Sequence, residues 1–172
     1  AHPLHLLPGD GATVGAALTR DARIDGVVFT GSTETALAIR RSMADHMHPG
    51  APLVAETGGL NAMIVDSTAL PEQAGRDNLA SAFQSGGQRC SAPVLGDPWH
   101  LRTDIGPVID AAAAQDIRDY VAKARREGRV IHEMRAPEGG HFIAPVVIRV
   151  ASIAALPREI FGPVLHVATW RS

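Results

Sequence analysis

Short apolar runs alternate with helix-length amphipathic segments along this chain. Gly26-Val27-Val28-Phe29-Thr30 is a continuous β-branched and aromatic run of the kind that forms a buried strand. Gly31-Ser32-Thr33-Glu34 follows it and opens a helix expected to run to about Met47, where His48-Pro49-Gly50 stops it. Pro52-Leu53-Val54-Ala55-Glu56 and Ala62-Met63-Ile64-Val65-Asp66 are two further predicted strands. Leu4-His5-Leu6-Leu7 is a shorter one, closed by Pro8-Gly9-Asp10-Gly11. Helices are predicted over residues 12–20, 71–85 with Pro71 in the first turn, and 111–127, where Ile117, Tyr120, Val121 and Ala124 share one face. Arg129-Val130-Ile131, His141-Phe142-Ile143, Val146-Val147-Ile148 and Val164-Leu165-His166-Val167 all read as strands. Strands separated by helices predict an α/β fold with right-handed crossovers and a parallel sheet.

Composition narrows the class. The chain has 172 residues, enough for a real core, with 45% hydrophobic and 20% charged residues, so it is neither disordered nor acidic and solvating. A net charge of −2 offers no electrostatic reason for nucleic acid or anionic lipid as a partner. No apolar run approaches the ~20 residues that span a bilayer. Ala1-His2-Pro3-Leu4-His5 lacks the basic n-region of a signal peptide, and one cysteine cannot form an internal disulfide, so a cytoplasmic setting is expected. The chain begins without methionine and ends just after an apolar run, which reads as a piece of something larger. The eight histidines include His46-Met47-His48, but no convergent carboxylate or thiol accompanies them, so no metal is expected.

The single thiol carries the chemistry. Cys90 lies in Gly86-Gly87-Gln88-Arg89-Cys90-Ser91-Ala92, among small residues and an arginine, 34 residues after Glu56 in Glu56-Thr57-Gly58-Gly59. A thiol in such company, with a carboxylate available as base, suits covalent catalysis; a structural buried cysteine is the plainer alternative. Two glycine loops are candidate anion sites. Gly9-Asp10-Gly11-Ala12-Thr13-Val14-Gly15 lacks the G-x-G-x-x-G spacing and reads more readily as a plain turn. Thr30-Gly31-Ser32-Thr33 lies between a strand and a helix, where backbone N–H groups and the helix dipole favour a pyrophosphate, and where Ser32 or Thr33 is also a natural N-cap.

Four phrases in order resemble the aldehyde dehydrogenase superfamily: Phe29-Thr30-Gly31-Ser32-Thr33-Glu34, Glu56-Thr57-Gly58-Gly59-Leu60-Asn61, Gly87-Gln88-Arg89-Cys90-Ser91-Ala92 and Glu159-Ile160-Phe161-Gly162-Pro163. Gly96-Asp97-Pro98-Trp99 and Thr103-Asp104-Ile105-Gly106-Pro107-Val108-Ile109 resemble more closely its L-glutamate γ-semialdehyde (pyrroline-5-carboxylate) dehydrogenase branch, as found in bifunctional proline-utilisation flavoenzymes.

That resemblance implies a mechanism and a set of roles. Cys90 attacks the aldehyde carbon to give a thiohemiacetal, hydride passes to NAD, and Glu56 activates the water that hydrolyses the resulting thioester. Gly31 and Ser32 meet the cofactor pyrophosphate, Thr57 and Gly58 the nicotinamide, Glu159 its ribose with Phe161 nearby, and Ser91 the substrate carboxylate. The plainer readings are Phe161 as core, Gly58 as a turn former and Glu159 as a surface charge. The implied organisation is a partial Rossmann-like NAD domain over 1–70, a partial catalytic domain over 71–158 and a return segment over 159–172. A proline dehydrogenase (FAD) domain in the same full-length chain and a homo-oligomer are the implied partners. Against the family pattern, Cys90-Ser91-Ala92 runs almost directly into Gly96-Asp97-Pro98-Trp99, so an internal strand and helix are missing near 93–96. A catalytically inactive fragment or remnant is the alternative function.

Overall fold

The computed structural model describes residues 4–83 and 93–170. The chain divides into two compact units, Ala1–Gly59 and Leu60–Ser172.

In the first unit, Asp10 caps a π-helical turn over Gly11–Gly15 by accepting from the Thr13 amide at 2.8 Å, and α1 (Ala16–Thr19) continues from it. The first glycine loop is therefore a capped turn. Strand β1 (Val27–Thr30) leads through Gly31 and Ser32 into α2 (Thr33–His46), then β2 (Leu53–Glu56). β1 and β2 pair in parallel with Val27 opposite Leu53 and Thr30 opposite Glu56. The helix between them is the crossover that parallel pairing requires. α2 buries Ala36 and Met43, and Met47 just past its end is buried too. Buried Thr19 donates to Ser42 Oγ at 3.0 Å, and that hydroxyl faces the Thr19 carbonyl at 3.2 Å, which fastens α1 to α2.

The second unit holds α3 (Pro71–Phe83), α4 (Ala111–Arg126), β3 (Val130–Glu133), β4 (Val146–Arg149) and β5 (Val164–Val167). The strand order is β3-β4-β5, with β3 antiparallel and β5 parallel to β4. Asp110 caps α4 at the Ala113 amide. At its other end Gly128 takes φ +66°, while the Gly128 and Arg129 amides reach back to Arg125 and Ala124. That is a Schellman ending, and its left-handed residue is glycine because L side chains rarely adopt that backbone conformation. Ala114, Ile117, Val121 and Ala124 of α4 pack on Val146 and Ile148 of β4 and on Ile143 to form the core.

Three predicted strands do not form. Leu4-His5-Leu6-Leu7 and Ala62-Met63-Ile64-Val65-Asp66 are irregular and largely exposed, because apolar runs become strands only when a neighbour completes the hydrogen-bond ladder. His141-Phe142-Ile143 follows two positive-φ glycines, Gly139 and Gly140; Ile143 still enters the core, and the His141 carbonyl accepts from the Val108 amide outside any ladder. The sheet of the second unit is mixed, since β3 returns from α4 through a tight turn and runs against β4.

Candidate active site

Among the expected site residues, Gly31, Ser32, Glu56, Thr57 and Gly58 lie in the first unit. Pairing of β1 with β2 brings them together at one end of the parallel pair. The Gly31 amide donates to the Glu56 carbonyl at 3.1 Å, although 25 residues separate them in the chain. This is the carboxyl end of the strands, the edge at which open α/β sheets bind ligands.

Each part of this edge has a local cause. Ser32 adopts an extended backbone (φ −71°, ψ 150°), and its Oγ accepts from the Thr35 amide at 3.1 Å, so it is the N-cap of α2. A Cβ at Gly31 would lie 2.5 Å from Cζ of Phe29, so a side chain here would have to displace that ring. Gly31, Ser32 and Thr33 are exposed, and the capped start of α2 presents backbone N–H groups to solvent. An exposed bare glycine, hydroxyl and helix start fit a dinucleotide pyrophosphate. Glu56 is the exposed last residue of β2. An open groove of about 530 Å³ runs beside α2 and β2, lined by residues including Thr33, Leu37, Arg40, Met43, Ala55 and Thr57.

In the second unit, Glu159 is half-buried and Phe161 is 86% exposed, so Phe161 is not a core residue. They sit on the irregular approach to β5, folded on itself by Gly162 amide to Ile160 carbonyl (2.9 Å) and Val164 amide to Gly162 carbonyl (2.7 Å). Cys90 and Ser91 lie outside the described residues.

One pairing had no signal in the sequence. The Tyr120 hydroxyl of α4 meets His166 Nε2 of β5 at 2.7 Å, with the rings edge to face at 5.7 Å. Burial and the nearby Arg129 guanidinium push the His166 pKa down, which favours the neutral imidazole. Among the described residues no group of three His, Cys, Asp or Glu could hold a metal, and no helix is long and apolar enough to cross a membrane.

The sequence matches the profile described as "Aldehyde dehydrogenase family" over residues 2–95 and 93–172. The chain belongs to the aldehyde dehydrogenase family. Members of this family use a nicotinamide dinucleotide, NAD or NADP. The chain is 44% identical to the Bifunctional protein PutA of Klebsiella aerogenes over 202 aligned positions, which cover 97% of this chain and 15% of that protein. It is 35% identical to the 1-pyrroline-5-carboxylate dehydrogenase of Geobacillus kaustophilus, covering 98% of this chain and 38% of that one. A crystal structure of proline utilization A from Bradyrhizobium japonicum superposes with a TM-score of 0.84 at 44% identity, over 95% of this chain and 19% of that one. This family member thus spans well under half the length of these relatives. Its α/β fold is the aldehyde dehydrogenase fold of those neighbours.

Proposed function

We propose that this chain carries the nucleophile and the general base of an enzyme that oxidises L-glutamate γ-semialdehyde to L-glutamate with NAD, the second step of proline breakdown. The observation that carries the reading is that relatives of both kinds, PutA and 1-pyrroline-5-carboxylate dehydrogenase, match nearly the whole chain. The physical support is the shared strand edge, where Gly31, Ser32 and Glu56 converge.

In this reading the Cys90 thiolate adds to the aldehyde carbon; a C–S bond forms and the carbonyl pair moves to oxygen. The Cys90 backbone N–H stabilises that oxyanion, and a preorganised donor of this kind is worth ~10²–10³ in rate. NAD, when bound, supplies the hydride acceptor that leaves a thioester on Cys90. Glu56 takes a proton from water as it attacks the thioester, the C–S bond breaks, and the thiolate is regenerated with glutamate released. Gly31 and Ser32 hold the pyrophosphate, Thr57 and Gly58 border the nicotinamide, Glu159 and Phe161 meet its ribose, and Ser91 receives the α-carboxylate.

The organisation follows the same reading: a Rossmann-like part over 1–70, a cysteine part over 71–158 and a return segment over 159–172. Two profile matches that meet at residues 93–95, and 202 aligned positions against 172 residues, support a strand and helix missing after Ala92. A proline dehydrogenase domain in the same polypeptide, a homo-oligomeric assembly and a cytoplasmic setting belong to this reading. That shortened segment also favours a second reading, a catalytically silent remnant.

The protein as its gene encodes it is expected to form NADH from glutamate γ-semialdehyde, and Cys90→Ala to abolish it. No NADH from the unaltered protein supports the silent remnant; NADH formation that survives Cys90→Ala removes the thiol from the mechanism.

A further inference from the structure

Residues 159–163 carry two proposed cofactor contacts yet belong to no strand. They bend through two short turns, and the Pro163 carbonyl accepts from the Val146 amide at 3.0 Å. Where they sit is therefore decided by what holds them on either side. Ile160 packs on the core, and Gly162 lies so close to α4 that a Cβ there would stand 2.6 Å from Ile117 Cδ1. Beyond them comes β5, which pairs with β4 on one side only among the described residues. A strand held by one ladder needs a second fixing if its approach is to keep one position. The Tyr120–His166 contact supplies it, 2.7 Å long and half-buried, joining α4 one turn past Ile117 to the third residue of β5.

We propose that Tyr120 and His166 are positioning residues: their hydrogen bond fastens β5 to α4 and thereby sets residues 159–163, with Glu159 and Phe161, for the cofactor. The inference rests on the reading of this chain as a dehydrogenase in which Glu159 meets the nicotinamide ribose. The hydroxyl and Nε2 share one proton in a 2.7 Å hydrogen bond, and the two rings meet edge to face.

Tyr120→Phe removes only the hydroxyl and keeps the ring in the core. In the protein as its gene encodes it, hydrogen exchange of the Gly162 and Val164 amides is expected to speed up about fivefold, the worth of one ordinary hydrogen bond. The β3–β4 amides keep their rates. The NAD dissociation constant and KM for NAD are expected to rise by about the same factor with kcat unchanged, the mark of lost binding rather than lost chemistry. Unchanged exchange at Gly162 and Val164 overturns the proposal, as does faster exchange with no change in NAD affinity. Absence of NAD binding in the unaltered protein is seen before any substitution; it removes the dehydrogenase reading and this proposal with it.

Discussion

Ser32 serves two ends with one hydroxyl. It caps α2 by accepting from the Thr35 amide, and in the proposed enzyme it also faces the pyrophosphate. Ser32→Ala is therefore expected to lower stability by ~1 kcal/mol, the usual worth of an N-cap, in chemical denaturation. It is also expected to weaken NAD binding, whereas Ser32→Asp keeps the cap and repels the phosphate. A purely structural serine would instead leave NAD affinity alone in both variants. The cap was legible in the sequence because a serine between an apolar strand and a helix has few other uses. His166 was not. It lies in an apolar strand run, 46 residues from Tyr120, and nothing local marks their meeting. Its titration follows from that meeting. Burial, then the Arg129 charge, favour the neutral ring in the folded protein, while the unfolded chain takes up a proton near the ordinary value of about 6.5. Below that value the unfolded state binds more protons, so this contribution is complete above it and is lost as pH falls. The urea midpoint is expected to be lower at about pH 5 than at about pH 7.5, and His166→Gln to reduce the difference. An unreduced difference would assign the acid sensitivity to other groups.

At the scale of elements, α4 is the best-specified piece of the chain. Its apolar stripe, the Asp110 cap and the Gly128 ending all agree, and its bounds, Ala111–Arg126, are those the periodicity predicts to within a residue. β1, α2 and β2 were likewise legible, since each is punctuated by glycine, proline or a capping serine. The Leu4-His5-Leu6-Leu7 and Ala62-Met63-Ile64-Val65-Asp66 runs were misread because strand formation is a property of pairs. The sequence of one run says nothing about whether a neighbour stands beside it. Gly162 shows the converse, a residue whose reason lies in another element. The approach of α4 leaves no room for a Cβ, with Ile117 Cδ1 in the way. Gly162→Ala is expected to lower the thermal midpoint, because buried Ile117 must shift to admit the methyl. Adding Ile117→Val, which deletes that Cδ1, is expected to recover part of the loss, so the double variant should be more stable than the sum of the singles. Simple additivity would show that the two residues do not press on each other.

For the whole molecule, the fold class and the family were legible well before the site was. Four short phrases in order carry the family. The strand edge in the first unit is harder to read, because its residues are far apart in the chain and meet only when strands pair. Gly31 and Glu56 show this: 25 residues apart in the sequence, they share a hydrogen bond once β1 and β2 pair. Parts of the chain also point beyond themselves. Val28 of β1 is 82% exposed and Val54 of β2 lies beside it in register, an uncovered apolar face on a parallel sheet of a kind normally covered on both sides. The central claim is that Cys90 is acylated by the oxidised substrate and that Glu56 releases it. Intact-mass measurement of Glu56→Gln, incubated with glutamate γ-semialdehyde and NAD in the protein as its gene encodes it, tests that claim most directly. A glutamyl thioester is expected to accumulate on Cys90, with one NADH formed per adduct and turnover then stalled. Sustained turnover by Glu56→Gln with no adduct on Cys90 would contradict it.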